Sequence, residues 1–190
     1  MKNTQKGFTL PETLIAILIL TTSIAAFATV TQRGLSSAQL SRDQITAFYL
    51  AQEGIEFVRS VRDGNKLANV NWLTSFIFPG VSDCVSPTGT EHCLFSFFSN
   101  NGDMENSLSR IIGRCNPLPC PPLEYHTTRG VYGYGFPANA REITRFTRDI
   151  AIVNNPAGTD PDEAEIRVTV SWSTPSGARS VLLVEQIRNL

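Results

Sequence analysis

Between Thr13 and Gln32 the chain runs for 20 residues without a charged side chain, carried by Leu14, Ile15, Ile17, Leu18, Ile19, Leu20, Ile24, Phe27 and Val30. At 1.5 Å of rise per residue, about 20 apolar residues in a helix span the hydrocarbon core of a bilayer. Lys2 and Lys6 precede the run and Arg33 closes it, so the positive-inside bias places the N-terminus in the cytoplasm and everything after Arg33 outside. At the mouth of the run stand Pro11 and Glu12. A carboxylate costs up to about 2.5–3.5 kcal/mol at mid-membrane and is usually kept there for a partner, so Glu12 calls for a cation. Pro11, which has no N–H to donate, suits a first helical turn whose donors are unsatisfied anyway.

Three readings of this N-terminus compete. In an ordinary signal peptide, Lys2 and Lys6 form the basic region and Ala26, Phe27 and Ala28 the small-residue cleavage site, releasing a secreted binding or adhesin-like domain after Ala28. In a plain uncleaved anchor, Glu12 sits at headgroup level. The third reading rests on "KGFTLPE", which resembles the processing site of type IV pilins and pseudopilins. The resemblance implies that prepilin peptidase cuts after Gly7 and methylates the new N-terminal amine of Phe8. Residues 1–7 would then be a leader and Glu12 the fifth residue of the mature chain, where it meets the amine of a neighbouring subunit. An unpaired charge is costly in lipid, and that pairing removes two of them.

Beyond the membrane run, from Ser36 to Asp63, the chain keeps good helix formers and no proline. Ile45, Phe48, Ala51, Ile55 and Val58 recur at three- and four-residue steps and predict the buried stripe of an amphipathic helix. Glu56 and Arg59 are spaced to pair at i and i+3, and "RDGN" predicts a stop with Gly64 in the left-handed cap position. "LAQEGIEFVRSVRDGN" also resembles V-type minor pilins, the pilus modification proteins. A spine helix over 8–63, spanning the membrane at about 13–32, is the expectation.

The remaining residues, 64–190, suffice for one compact head. Its irregular part, 65–141, holds all four cysteines. "CLFSFFSNNGDM" predicts a short strand and an Asn101-Gly102 turn. "GVYGYGF" predicts a strand edge or loop with Tyr132, Tyr134 and Phe136 on one aromatic face; a stacking platform is the functional alternative. Three runs follow over 142–190, "EITRFTRDIAIV", "AEIRVTVSWST" and "SVLLVEQI", with Ile166, Val168, Val170 and Trp172 alternating with polar residues. Short turns between them predict an antiparallel sheet that buries its apolar face on the helix stripe. The fold class is therefore α+β and pilin-like: a long N-terminal helix packed on a C-terminal antiparallel sheet.

Cys84, Cys93, Cys115 and Cys120 read as two disulfides outside the membrane, with the sequential pairing favoured among three. The competing zinc site, with four thiolates or three and His92, has unsuitable spacings and the wrong compartment. Neither a G-x-S-x-G nor an H-E-x-x-H motif occurs, so no catalytic residue, resident metal or cofactor is expected. Asp160, Asp162, Glu163 and Glu165 form an acidic turn that reads as a solvated loop or as a calcium ligand set. Removing the leader's two lysines from a net charge of −1 leaves −3, which argues against general nucleic-acid binding. The expected product is a minor pilin or pseudopilin, a filament subunit rather than an enzyme. Its partners would be prepilin peptidase, other pilin or pseudopilin subunits, an inner-membrane assembly platform and membrane lipid. It would be a single-pass protein of the cytoplasmic membrane with its head outside, and then part of a cell-surface filament.

Overall fold

Helix α1, Leu10–Leu67, begins immediately after Thr9, and the strands follow it in order. The computed structural model describes residues 7, 9–76, 84–96, 111–115, 119–155, 158 and 160–189. Contacts divide the chain into two compact units, Met1–Gln44 and Ile45–Leu190.

In the first unit the apolar side chains of α1 up to Leu35 are exposed. Leu14, Ile17, Leu18, Leu20, Ile24 and Phe27 are each more than half exposed. Several of its hydroxyls are quenched locally. The hydroxyls of Thr21, Thr22, Ser23, Thr29 and Thr31 donate to carbonyls three or four residues back, at 2.7–3.0 Å. A hydroxyl with an internal acceptor can enter an apolar medium without the full cost of lost hydration.

In the second unit α1 buries one face against the sheet. Ala47, Leu50, Ala51, Gly54, Ile55, Phe57, Val58 and Val61 are buried. The expected stripe is corrected at two positions: Ile45 is 56% and Phe48 41% exposed. Small residues at 47, 51 and 54 form the contact line instead. A Cβ on Gly54 would lie 3.0 Å from both Ile150 Cδ1 and Val168 Cγ1, so glycine there sets how closely helix and sheet approach. The helix end is corrected as well. Gly64 remains helical, α1 continues to Leu67, and the left-handed residue is Asn69 at φ 55°. Asn65 closes the corner by donating its amide to the Trp72 carbonyl at 2.9 Å.

Among the described residues the sheet has eight strands: β1 Val85–Ser86, β2 Cys93–Ser96, β3 Ile111–Arg114, β4 Pro122–His126, β5 Val131–Gly133, β6 Arg141–Asn154, β7 Glu163–Thr174 and β8 Gly177–Arg188. The last three are the antiparallel meander expected from the short turns between them, with β6 pairing β7 from Phe146↔Trp172 to Asn154↔Ala164. On its other side β6 is bordered by β4, β2 and, in the one parallel pairing among the described residues, β1. Residues 65–141, expected to be irregular, thus contribute five short strands to the same sheet. The Asn101-Gly102 turn lies outside the described residues.

Ile150, Ile152, Ile166, Val168 and Val170 are fully buried. From the helix, Phe57 stacks on Phe95 of β2 with centroids 4.7 Å apart and planes at 11°. Burial at about 25 cal/mol per Å² of apolar surface makes such contacts the main driving force of the head. The expected aromatic face is corrected: β5 ends at Gly133, and Tyr134 and Phe136 turn into the interior at 6% and 2% exposure, which leaves only Tyr132 accessible.

Candidate processing and assembly site

The N-terminal site is built on the start of α1. The N–H groups of Glu12 and Thr13 donate to the Thr9 carbonyl at 3.1 and 3.2 Å, and the Thr9 N–H points to Glu12 Oε2 at 3.5 Å. This is the reciprocal arrangement of a helix start, in which a carboxylate in the first turn complements unsatisfied N–H groups and the positive end of the helix dipole. Glu12 is nevertheless exposed and keeps oxygen capacity for a cation. Gly7 is exposed and a Cβ there would meet nothing within 4 Å. Lys2, Lys6 and Phe8 lie outside the described residues. Among the described residues α1 is the one helix long and apolar enough to cross a membrane.

In the head, the sequence-predicted site residues that are described are engaged by neighbours. Cys84 is bonded to Cys93 and Cys115 to Cys120, with Cα separations of 5.7 and 4.9 Å. The two bridges are neighbours, because the Cys115 N–H donates to the His92 carbonyl at 2.8 Å and Cys93 lies opposite Arg114. Both histidines are engaged. His92 Nδ1 meets Asp149 Oδ1 at 2.9 Å. His126 is buried, packs edge-on against Phe136, and accepts the Arg129 N–H at Nδ1. Burial pushes the Asp149 carboxyl up, against the pull of His92.

The acidic turn is internally committed. Asp160 accepts the Asp162 N–H, Asp162 accepts the Asn189 amide, Glu165 binds Arg167, and Arg188 lies 3.7 Å from Asp160 and 3.9 Å from Glu163. Among the described residues no group of three or more His, Cys, Asp or Glu side chains is placed to hold a metal ion.

One buried cation escaped sequence reasoning. Arg148 on β6 is 2% exposed and ties three elements together, donating to the Leu50 carbonyl of α1 at 3.2 Å and to the Phe95 carbonyl of β2 at 2.7 Å, and facing Glu53 Oε2 at 3.3 Å. Burial raises the Glu53 carboxyl more than Arg148 lowers it. The neighbouring Tyr134, whose hydroxyl reaches the Arg148 carbonyl at 3.4 Å, is pushed up to about 12 by burial. The signal was present in "FTRDIAI": Arg148 shares the strand face of Phe146, Ile150 and Ile152, where an arginine is out of place unless its donors are used inside.

With the geometry described, the comparisons with known proteins bear on one segment. Residues 2–28 match the model of the family described as Prokaryotic N-terminal methylation motif. The chain carries that motif. The match, directly at the start of an exposed apolar helix, supports a type IV pilin-family protein, and it implies processing by prepilin peptidase and assembly with other pilins. The family is one of structural subunits, generally non-enzymatic. No curated protein and no solved structure matches the chain.

Proposed function

We propose that the chain is a minor type IV pilin or pseudopilin, of the V type, that enters a pilus-like filament through its N-terminal helix. The observation that carries this reading is the methylation motif at residues 2–28 set against an apolar helical segment whose large side chains, from Leu10 to Leu35, are exposed. The precursor inserts with Lys2 and Lys6 inside. Prepilin peptidase cuts between Gly7 and Phe8 and methylates the amine of Phe8. Glu12 then pairs with that amine or a neighbour's at an inner-membrane assembly platform, and the apolar helices bundle as the filament core.

Exchange of lipid for neighbouring helices leaves the apolar side chains covered throughout, and pairing of the ammonium with a carboxylate neutralises the two charges that oppose the move. The head, held by its two disulfides and its own core, remains outside. Glu12→Ala tests the mechanism. The variant is expected to be processed at Gly7 like the parent and to fall at least about tenfold in the sheared filament fraction, the equivalent of losing about 1.4 kcal/mol of assembly free energy. Undiminished incorporation would overturn the pairing of Glu12 with the amine.

A further inference from the structure

Three neighbouring strands of the head present one row of side chains. Tyr132 of β5 lies opposite Tyr125 of β4, which lies opposite Glu142 of β6, and residues directly opposite in antiparallel strands share a face. The two rings are 5.2 Å apart at 56° and both are half-buried, so they form a shelf at the surface.

Beside this row β6 departs from a regular strand. Between Glu124↔Ile143 and Pro122↔Thr147, β4 covers two residues and β6 four. Within the extra stretch Thr144 Oγ1 accepts the Phe146 N–H at 3.2 Å. In a regular strand Glu142 would face one side of the sheet, and Ile143 and Arg145 the other. Here all three border one open pocket of about 300 Å³ together with Tyr125 and Tyr132. Bulges re-aim side chains in this way and are over-represented next to functional sites. Arg145 is placed further by Phe146, whose ring centroid lies 5.8 Å from the guanidinium carbon.

The groups in the pocket select a kind of ligand. Aromatic ring faces are negative and attract weakly positive C–H groups. Glu142 is exposed and has no hydrogen bond or ion pair among the described residues. A carboxylate only accepts, so its ligand must bring donors, whereas the five donors of Arg145 require acceptors. The two charges are opposite, which disfavours a polyanion at Glu142 and a polycation at Arg145. A proline-rich peptide packs on tyrosines, but proline has no N–H and would leave Glu142 unsatisfied. A pyranose has an apolar C–H face and hydroxyls that both donate and accept. A volume of about 300 Å³ is at the small end for ligand pockets and suits about one or two sugar rings.

We propose that this pocket binds a neutral saccharide, with a ring face stacked on Tyr125 and Tyr132 and hydroxyls that donate to Glu142 and accept from Arg145. Every residue involved lies in the head, so the proposal stands independently of the filament reading.

The full chain, solubilised in a detergent without a sugar headgroup, is titrated with lactose, cellobiose, mannobiose and N,N′-diacetylchitobiose. Saturation transfer from protein to sugar protons is followed by NMR, with empty micelles as the control. At least one of these sugars is expected to bind with a Kd of about 1 mM or tighter, with transfer strongest at ring C–H protons. Tyr132→Ala is expected to weaken that binding at least about tenfold, a loss of about 1.4 kcal/mol. Glu142→Ala, at an exposed position, is expected to weaken it by a similar factor while leaving the melting temperature unchanged, which keeps the test decisive if Tyr132→Ala unfolds the head. Failure of every sugar to bind at about 10 mM would overturn the proposal, as would an affinity unchanged by Glu142→Ala. Binding of a proline-rich decapeptide or of oligothymidylate in place of the sugars, lost in Glu142→Ala, would overturn the saccharide as the ligand class.

Discussion

The two parts of α1 are one helix by hydrogen bonding and two different objects by surface. Up to Leu35, apolar residues point in every direction and are exposed: Leu18 at 63%, Phe27 at 76% and Leu35 at 68%. From Ile45 onward the helix has a side. Ala47, Ala51 and Val58 are fully buried while Tyr49 is 64% exposed. A helix apolar all round requires an apolar solvent, and a helix apolar on one face requires a sheet. The first part therefore takes its stability from lipid or from neighbouring helices. The second takes it from the core of its own head, so substitutions in the two parts should be read by different experiments.

The sharpest break of that comparison is a pair of phenylalanines. Phe57→Ala should cost the head about 3–5 kcal/mol, because a fully buried ring stacked on Phe95 leaves a cavity. Phe27→Ala should leave the head's thermal melt unchanged. A comparable loss of melting temperature in both variants would show that the exposed half is part of the head's cooperative unit.

Two glycines give a smaller contrast. Gly54→Ala should destabilise the head by about 1–2 kcal/mol, since overpacking against Ile150 and Val168 outweighs the gain of about 1 kcal/mol in helix propensity. At Gly34 a Cβ would meet nothing within 4 Å, so Gly34→Ala should be silent in head unfolding and raise helicity slightly in circular dichroism of the detergent-solubilised protein. Stabilisation by Gly54→Ala would mean that the helix and sheet can part at no cost.

The smallest effect is in pH. A carboxyl raised by folding contributes stability that is fully present below its unfolded value and is lost as pH rises through its folded one. Glu53 is raised from 4.5, so the urea midpoint of the head should carry a component that falls as pH climbs above 4.5. Glu53→Gln should flatten that component. A parent and variant with identical pH profiles would remove Glu53 as its source.

How much of this was legible in the sequence follows from the kind of signal each element leaves. β6, β7 and β8 are each 12 or more residues long and bounded by turn residues, β7 alternates cleanly, and all three were readable, as was the apolar run. The contact line of α1 was legible at Ala51, Ile55 and Val58 but not at Ile45 and Phe48, where bulk is a misleading signal. Ile45 and Phe48 look like core residues, but helix and sheet approach through Ala47, Ala51 and Gly54, and small residues leave a weak hydrophobic signature. β1 to β5 are two to five residues long, too short for periodicity to stand out from loop composition. Arg148 was visible as a misfit in its strand, although its three acceptors come from segments far apart in sequence and could not be read locally. At the N-terminus the legible part is chemical rather than conformational, a glycine, a short polar-apolar stretch and a glutamate in fixed order before the run.

The account turns on the fate of that N-terminus, and intact mass with N-terminal sequencing of the protein from its native membrane or filament fraction tests it most directly. A mature chain beginning with N-methylated Phe8 is the result expected. A chain beginning at Thr29 would make it a secreted domain freed by ordinary signal peptidase, and one beginning at Met1 a plain anchored protein; either would contradict the filament reading.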